Sequence, residues 1–508
     1  MTRAVRIGSR RSALARVQAQ HVAAVVRAAA PALELEYCFI ESSGDRSTEP
    51  SAARVTARGG FTEDLGTLLD RGEIDIAVHS WKDLPLRERA ATEVVATLPR
   101  ADARDVLLLR RDAVESATDR GLRILSSSAR RRHHLEQFLA WALPLRPARI
   151  EFAPVRGDIA TRLYKLLRGD GDALVIAKAA LDRLLDTDLD LLAETGAEGP
   201  ARLRESQAIV RTALAACRVM VLPLASSPAA PAQGALAIEV RRDSPLRELL
   251  QAINHRATFE TVQAERALAL ELGEDEPLGV TRLRMEFGDV EFVRGTHAGT
   301  PFERVTLYRH GASLPRPASA DALWTEPPGR AQWREALHDA PRDFGAGQGL
   351  LVARSEALPQ DSRISPDTII WTAGLVTWRK LAQRGLWVVG SDESLGESGA
   401  VGVRSWFPQA RQWLKLSHSG GHASDIAAFV PTYRTGRSEP LARVDRYSHF
   451  FWNSGTQLRE YLQAFPGLRH AWHGCGPGNT YRIARDLLGA ERLRPFLDAA
   501  QFRTELLA

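Results

Sequence analysis

Three times before Tyr164 a short apolar run breaks into a turn of small residues and arginine, after which helical spacing begins. The runs are Val5–Gly8, Arg123-Ile124-Leu125 and Ala148–Pro154. The turns after them hold Arg10 and Ser12, then Ser127, Ser128, Arg130 and Arg131, then Arg156 and Arg162. Strand, turn and helix in recurrence predict an α/β fold. A small-residue turn opening a helix presents unpaired N–H groups and the positive end of the helix dipole, which suits an anion. Arginines at that end oppose the dipole, so an anionic ligand accounts for them economically. An ordinary N-cap explains Ser12 taken alone, and a solvated face explains any one charge run. The argument rests on the recurrence.

A fourth turn lies between these. Ile74, Ile76 and Val78 alternate as in a buried strand, and Pro85 stops the pattern because it has no N–H to donate. Lys82 and Asp83 are thereby left at the carboxyl end of a strand, where open α/β sheets bind ligands. A second strand is expected at Leu33–Ser42, and the polar loop Ser47–Gly60 reads as a lid. Arg104-Asp105 precedes the apolar run Val106–Leu109, and Pro231–Glu239 reads as a glycine turn and a strand. Ser244–Leu272 has helical spacing, Met285–Arg309 alternates, and Gly311–Gly329 is rich in Pro, Ala and Ser, as in a linker. From Gly349 onward the strand, small-residue loop and helix pattern resumes, predicting a second α/β module.

Composition narrows the partners. With 67 Lys and Arg against 62 Asp and Glu, the net charge is +5. That mild basicity does not suggest a nucleic-acid protein, and arginine's fork suits small carboxylates. The three cysteines, Cys38, Cys217 and Cys475, have no metal-binding spacing, so neither a zinc site nor a disulfide framework is expected. Without a signal-like start or a long apolar run, a cytoplasmic enzyme with no membrane partner is expected.

Taken in order, RIGSRRSALARVQA, EIDIAVHSWKDLP, ARDVLLL, SSSARRRHHL, VRGDIATRL and PAQGALAIE resemble the hydroxymethylbilane synthase (porphobilinogen deaminase) family. The remainder is similar to a shortened uroporphyrinogen-III synthase, through Tyr433-Arg434-Thr435, Asn453-Ser454-Gly455 and Gly476–Thr480. The resemblance implies two periplasmic-binding-protein-like domains, a small α+β third domain and a synthase-like α/β module. Boundaries expected on that basis are 1–104 with 215–243, 105–214, 244–312, a linker at 313–346 and the module at 347–508. The family's catalytic carboxylate falls on Asp83. Its substrate-binding groups fall on Arg10, Ser12, Lys82, Arg104, Ser127, Ser128, Arg130, Arg131, Arg156 and Arg162. In the module, Tyr433, Ser454, Gly455 and Thr480 are the expected contacts.

The family carries a dipyrromethane cofactor on a cysteine, and alignment puts Glu274 at that position, so no thioether is expected there. The lid motif is altered as well, to Thr56–Phe61. The resemblance therefore implies head-to-tail condensation of porphobilinogen with ammonia release, on a primer held noncovalently or as an ester on Glu274, coupled to cyclisation to uroporphyrinogen III. Porphobilinogen and linear pyrrole chains are the implied partners. Release of a shorter pyrrole oligomer and noncatalytic binding of a pyrrole carboxylate stay open as alternatives.

Overall fold

The computed structural model describes residues 4–41, 62–273, 277–325, 332–397, 399–421, 423–437 and 441–508. The chain divides into two units: Met1–Ala140, Leu145–Arg284 and Glu291–Val305 form the first, and Trp141–Pro144, Met285–Val290 and Thr306–Ala508 the second. The expected lid, including Arg58, and Glu274 lie outside the described residues.

The first unit contains two five-stranded sheets. One comprises β1 (Val5–Arg10), β2 (Leu35–Ile40), β3 (Ile76–Ser80), β4 (Thr92–Ala96) and β10 (Leu236–Arg241), in the order β2-β1-β3-β10-β4. The other comprises β5 (Asp105–Arg110), β6 (Leu122–Leu125), β7 (Ile150–Ala153), β8 (Ala173–Ala177) and β9 (Cys217–Val221), in the order β7-β6-β8-β5-β9. β1 runs parallel to β2 and β3, and β6 runs parallel to β7 and β8. In each sheet the antiparallel strand is the one that arrives from the other sheet: β10 against β3 and β4, β5 against β8 and β9. The chain therefore crosses twice, after β4 and after β9, and both crossings meet at Gly234.

Gly234 takes φ +89°, and a Cβ there would sit 2.4 Å from the carbonyl oxygen of Ala101 on the other crossing. Only glycine fits so close an approach at that φ. The core of the first sheet gathers Ile7, Val22, Val26, Val78, Ile238 and Leu250. Val106–Leu109 is buried throughout, as expected of a strand covered on both faces.

Three expectations are corrected here. The first domain was expected to resume at 215, but Cys217–Val221 pairs with β5, so the return crossing begins after Val221. Between Leu192 and Ala230, which the sequence shows as polar and then Ala/Pro-rich without a marked helical period, lies the helix Glu198–Ala216, which buries Leu203, Gln207, Val210 and Leu214 on one face. Ser244–Leu272 is two helices, Arg247–Ala252 and Arg256–Leu272, because the Asn254 side chain accepts from the backbone N–H of Thr97 and His255 caps the second helix. That second helix precedes a three-stranded sheet, β11 (Gly279–Met285), β12 (Gly288–His297) and β13 (Thr300–Arg309).

The second unit also corrects the sequence reading. Residues 313–346, expected as a linker, carry β14 (Leu323–Thr325), β15 (Gln332–Ala336) and β16 (Asp343–Phe344). The Pro/Ala/Ser composition hid the apolar pair Leu323-Trp324, which pairs with the strand at His449–Trp452. β16 pairs with β18 (Arg363–Ile364).

The larger sheet has six strands, ordered β15-β22-β21-β17-β19-β20, with β17 at Gln348–Val352, β19 at Ile369–Thr372, β20 at Gly390–Ser391, β21 at Gln412–His418 and β22 at Ala428–Arg437. Only β15 runs antiparallel in it. A four-stranded parallel sheet, β14-β23-β24-β25, uses β23 (His449–Trp452), β24 (Trp472–Cys475) and β25 (Leu493–Pro495). The second unit is thus a pair of α/β lobes that the chain crosses twice, after β14 and after β22.

Candidate active site

The carboxyl ends of β1, β3, β6 and β7 carry the four turns singled out in the sequence. Ser80 ends β3, and Trp81–Asp83 forms a single 3-10 turn. The turn is anchored at both ends: the Trp81 N–H donates to Ala235 O on the return crossing at 3.0 Å, and Leu84 N–H donates back to Trp81 O at 3.2 Å. Trp81 is buried, while Lys82 and Asp83 are half-buried. Arg10 is the last residue of β1 rather than part of a loop, and Ser12 caps the helix Ala13–Ala29 by accepting from Ala15 N–H at 3.3 Å.

A chain of polar contacts joins the two sheets. Lys82 Nζ donates to Gln233 Oε1 at 3.0 Å, and Gln233 Nε2 donates to Ala103 O at 2.6 Å and to Asp105 Oδ1 at 2.9 Å. Asp105, fully buried, holds two of the expected arginines, Arg130 on Oδ2 and Arg131 on Oδ1, each at 2.7 Å. Burial alone would raise the Asp105 pKa; the guanidinium charges of Arg131 and Arg130 and their hydrogen bonds outweigh it and hold the carboxyl far below the usual range. Arg104 is held likewise: its fork grips Asp102, whose carboxylate lies 3.7 Å from buried Lys178 Nζ. Burial acts to raise the Asp102 pKa, and Arg104 and Lys178 override it.

Of the remaining cations, Arg162 feels the charge of Asp83. Arg162 donates through Nε to Gly157 O at 2.7 Å. Its pKa is lowered first by burial and next by the charge of Arg131, with Asp83 acting to raise it and Arg10 to lower it further. The charges of Arg131, Asp83, Arg10 and Asp158 thus all act on Arg162. Lys82, desolvated and pressed by Arg131 and Arg130 against the opposing pull of Asp83 and Asp105, has its pKa pushed down to about 8. Ser127 binds the next turn both ways, donating to Val155 O at 2.8 Å and accepting from Val155 N–H at 3.0 Å. Ser128 accepts from Arg131 N–H at 3.3 Å, and Arg156 is exposed at the rim.

Arg10, Lys82, Asp83, Arg130, Arg131 and Arg162 are thus linked electrostatically, and the structure ties Arg104, Arg130 and Arg131 to acids of the protein itself. Asp102, Asp105, Lys178 and Gln233 are parts of this site that sequence reasoning missed. Their signal was present: Asp105 stands directly before an apolar run, and Gln233 lies in the quoted PAQGALAIE stretch. Among the described residues no group of His, Cys, Asp and Glu is arranged to hold a metal ion, and no helix is long and apolar enough to cross a membrane.

A dipyrromethane fits this cleft in one respect only. Its carboxylates suit the cations around Asp83, but the cysteines do not suit a thioether. Cys217 pairs with Arg110, five residues along β5 from Asp105 and so about 17 Å distant; burial pushes its thiol up to about 12. Cys38 packs with Leu65, Leu69 and Ile74, and burial raises its pKa too. Cys475 is buried on β24 in the second unit.

In the second unit the expected contacts lie where the lobes meet. Tyr433, buried on β22, has its ring 5.9 Å from that of His418 at the end of β21. His418 Nε2 is 3.3 Å from the hydroxyl of Thr456 in the other lobe, beside Gly455 and the N-cap Ser454. Burial, then the charge of Arg354, lowers the His418 pKa; burial raises that of Tyr433. Thr480 lies beside a second contact between the lobes, next to Asn479, whose amide donates to Glu397. Glu397 also accepts from buried Lys415 Nζ at 2.6 Å. At the same place a Cβ on Gly478 would sit 2.0 Å from Ser394 O, so the lobes touch there through bare backbone.

Comparison with known proteins gives three results. Residues 5–248 match the family model described as porphobilinogen deaminase, dipyromethane cofactor binding domain. The chain is 33% identical over 296 residues to a porphobilinogen deaminase of Syntrophomonas wolfei, covering 58% of this chain and 84% of that protein. It is 36% identical over 306 residues to one of Mycobacterium ulcerans, covering 60% and 82%. Among solved structures, a putative periplasmic sulfonate-binding protein of Methylobacillus flagellatus covers 54% of this chain and 70% of its own at 12% identity, with a TM-score of 0.25.

Proposed function

Because the chain belongs to the porphobilinogen deaminase family, we propose that its first unit condenses porphobilinogen head to tail, releasing ammonia, to give hydroxymethylbilane for tetrapyrrole synthesis. The observation that carries this reading is Asp83, a carboxylate whose charge acts on both Lys82 and Arg162, on which the charges of Arg131 and, for Arg162, Arg10 also act. Each pyrrole brings an acetate and a propionate, so a growing chain accumulates negative charge that this cleft neutralises. The C–N bond of the aminomethyl group breaks, and the nitrogen leaves as ammonia with a proton supplied beside it. The azafulvene left behind is cationic, and Asp83 next to the pyrrole N–H stabilises that charge as it develops. The free α-carbon of the neighbouring pyrrole attacks, a C–C bond forms, and the α-proton departs to a base, a role that falls to Asp83. Water closes the sequence by adding hydroxyl to the last azafulvene.

Arg130 and Arg131 act as a pair fixed in advance by Asp105. A side chain already held by an ion pair loses little freedom when a ligand arrives. We propose further that the primer is held without a cysteine, noncovalently by these cations or as an ester on Glu274, the reading supported by the raised thiol pKa values and by where Cys38, Cys217 and Cys475 lie. For the second unit we propose cyclisation to uroporphyrinogen III in the cleft bounded by His418, Tyr433, Ser454, Gly455, Thr456 and Thr480. The support is the paired α/β lobes meeting at these residues.

The test is to incubate the full chain with porphobilinogen and follow ammonia, product mass and intact protein mass. Ammonia release with a four-ring product supports the reading. A shorter released oligomer favours the oligomer-synthase alternative, and tight binding without consumption favours a carboxylate-binding protein.

A further inference from the structure

Next to the turn that carries Lys82 and Asp83 lies a separate cavity of about 320 Å³, within the range of small-molecule sites. None of the residues assigned above lines it except Trp81, whose ring forms an apolar wall with Leu84, Pro85 and Val94. Its buried polar residues are Thr62, Thr92, Glu239 and Arg266. Glu239 is only 4% exposed; its Oε2 lies 2.9 Å from His79 Nε2, and its Oε1 accepts from the Thr92 hydroxyl at 2.5 Å.

Three guanidinium groups, Arg87, Arg89 and Arg266, also line the cavity, and two of them are engaged elsewhere. Arg266 donates to the carbonyls of Leu84, Pro85 and Leu86, and Arg89 pairs with Asp70 at 2.6 Å. Glu63, Glu88 and Glu93 add carboxylates to the lining, of which Glu88 pairs with Arg242 and Glu93 with Arg242 and Arg247. Burial acts to raise the Glu239 pKa, but the His79 contact, the Thr92 hydroxyl and the charge of Arg89 bring it below the ordinary value, so the group is ionised at neutral pH. An anion held mainly by an imidazole and a hydroxyl, in a chamber with an indole wall, suits a cation with an apolar body.

We propose that this cavity binds a small organic cation, an amine on an aromatic or aliphatic body, with the ammonium on Glu239 and the body against Trp81 and Val94. An occupant touches Trp81 and Leu84, the residues on either side of Lys82 and Asp83, so the site is placed to modulate the catalytic turn without overlapping the carboxylate-binding cleft.

The test uses the full chain and three probes of one shape, benzylamine, benzyl alcohol and benzoate, titrated calorimetrically. Benzylamine is expected to bind at least about tenfold more tightly than benzyl alcohol, a difference of about 1.4 kcal/mol, with no binding of benzoate in this cavity. Glu239→Gln removes the preference for the amine, and Val94→Trp, which fills the space, removes binding. Asp83→Asn leaves benzylamine affinity unchanged, which separates this site from the substrate cleft even if the proposed condensation fails. Equal affinity for amine and alcohol, no benzylamine binding, or a preference that survives Glu239→Gln overturns the proposal. Should a variant fail to fold, a crystal of the unaltered chain with benzylamine decides: density beside Glu239 supports the site, and density elsewhere or none refutes it.

Discussion

The Asp83 site and the cleft of the C-terminal lobes are both built at the carboxyl ends of parallel strands, yet they differ in how much charge they hold. Around Asp83, Asp102 and Asp105 carry three of the arginines expected from the sequence, while Arg10, Lys82 and Arg162 stand near the proposed catalytic carboxylate. Between the C-terminal lobes, one buried pair, Lys415 and Glu397, accompanies His418, Tyr433 and Thr456. The first arrangement is suited to stabilising a cation inside a polyanion-binding cleft. The second carries little charge, and the cyclisation proposed for it is a step that needs shape more than acid or base. The lesson is that preorganised charge and preorganised shape leave different traces, and only the first is plain in a sequence.

Four substitutions sharpen this contrast, taken from the largest effect to the smallest. Asp83→Ala is expected to lower turnover by about 10²–10⁴ while affinity for pyrrole carboxylates holds or improves; steady-state rates with a parallel binding titration check it. Asp105→Asn leaves Arg130 and Arg131 without their acid in a buried place, which costs about 3–5 kcal/mol of stability, measured by denaturant unfolding. Glu397→Gln strips the charge from Lys415's partner and weakens the bond that ties β21 to Asn479; a loss of about 1–3 kcal/mol in the second unit's unfolding step is expected, with porphobilinogen consumption untouched.

The smallest effect is a pH dependence. Lys82 has a folded pKa of about 8, below its ordinary value, so its ammonium is a burden on folding at neutral pH that is relieved as pH rises from about 8 toward 10.4. Lys82→Gln is therefore expected to raise the melting temperature at pH 7. The same charge aids carboxylate binding, so KM of the unaltered chain rises as pH passes about 8, and KM of Lys82→Gln is higher and flat across that range.

What the sequence disclosed follows from these differences. Strands such as Val106–Leu109 and the turns with Arg10, Ser127 and Arg162 were readable because apolar runs and misplaced arginines are local signals. Asp105 and Gln233 were not singled out, since their importance arises only when two crossings bring β3, β5 and the return segment together. The helix Glu198–Ala216 was hidden by alanine and polar residues, although Leu203, Val210 and Leu214 carry its period. In the second unit Trp324 was concealed by proline-rich flanks, and His418 gave no signal because its partners, Tyr433 and Thr456, come from a later strand and from the other lobe.

The central claim is that Asp83 performs chemistry in a cleft whose cations merely hold its substrate. Single-turnover mass analysis of the full chain and of Asp83→Ala, each mixed with porphobilinogen, tests it most directly. The account predicts ammonia release and pyrrole oligomers from the unaltered chain, and bound but unconverted porphobilinogen on the variant. Equal conversion by both proteins, or none by either, contradicts it.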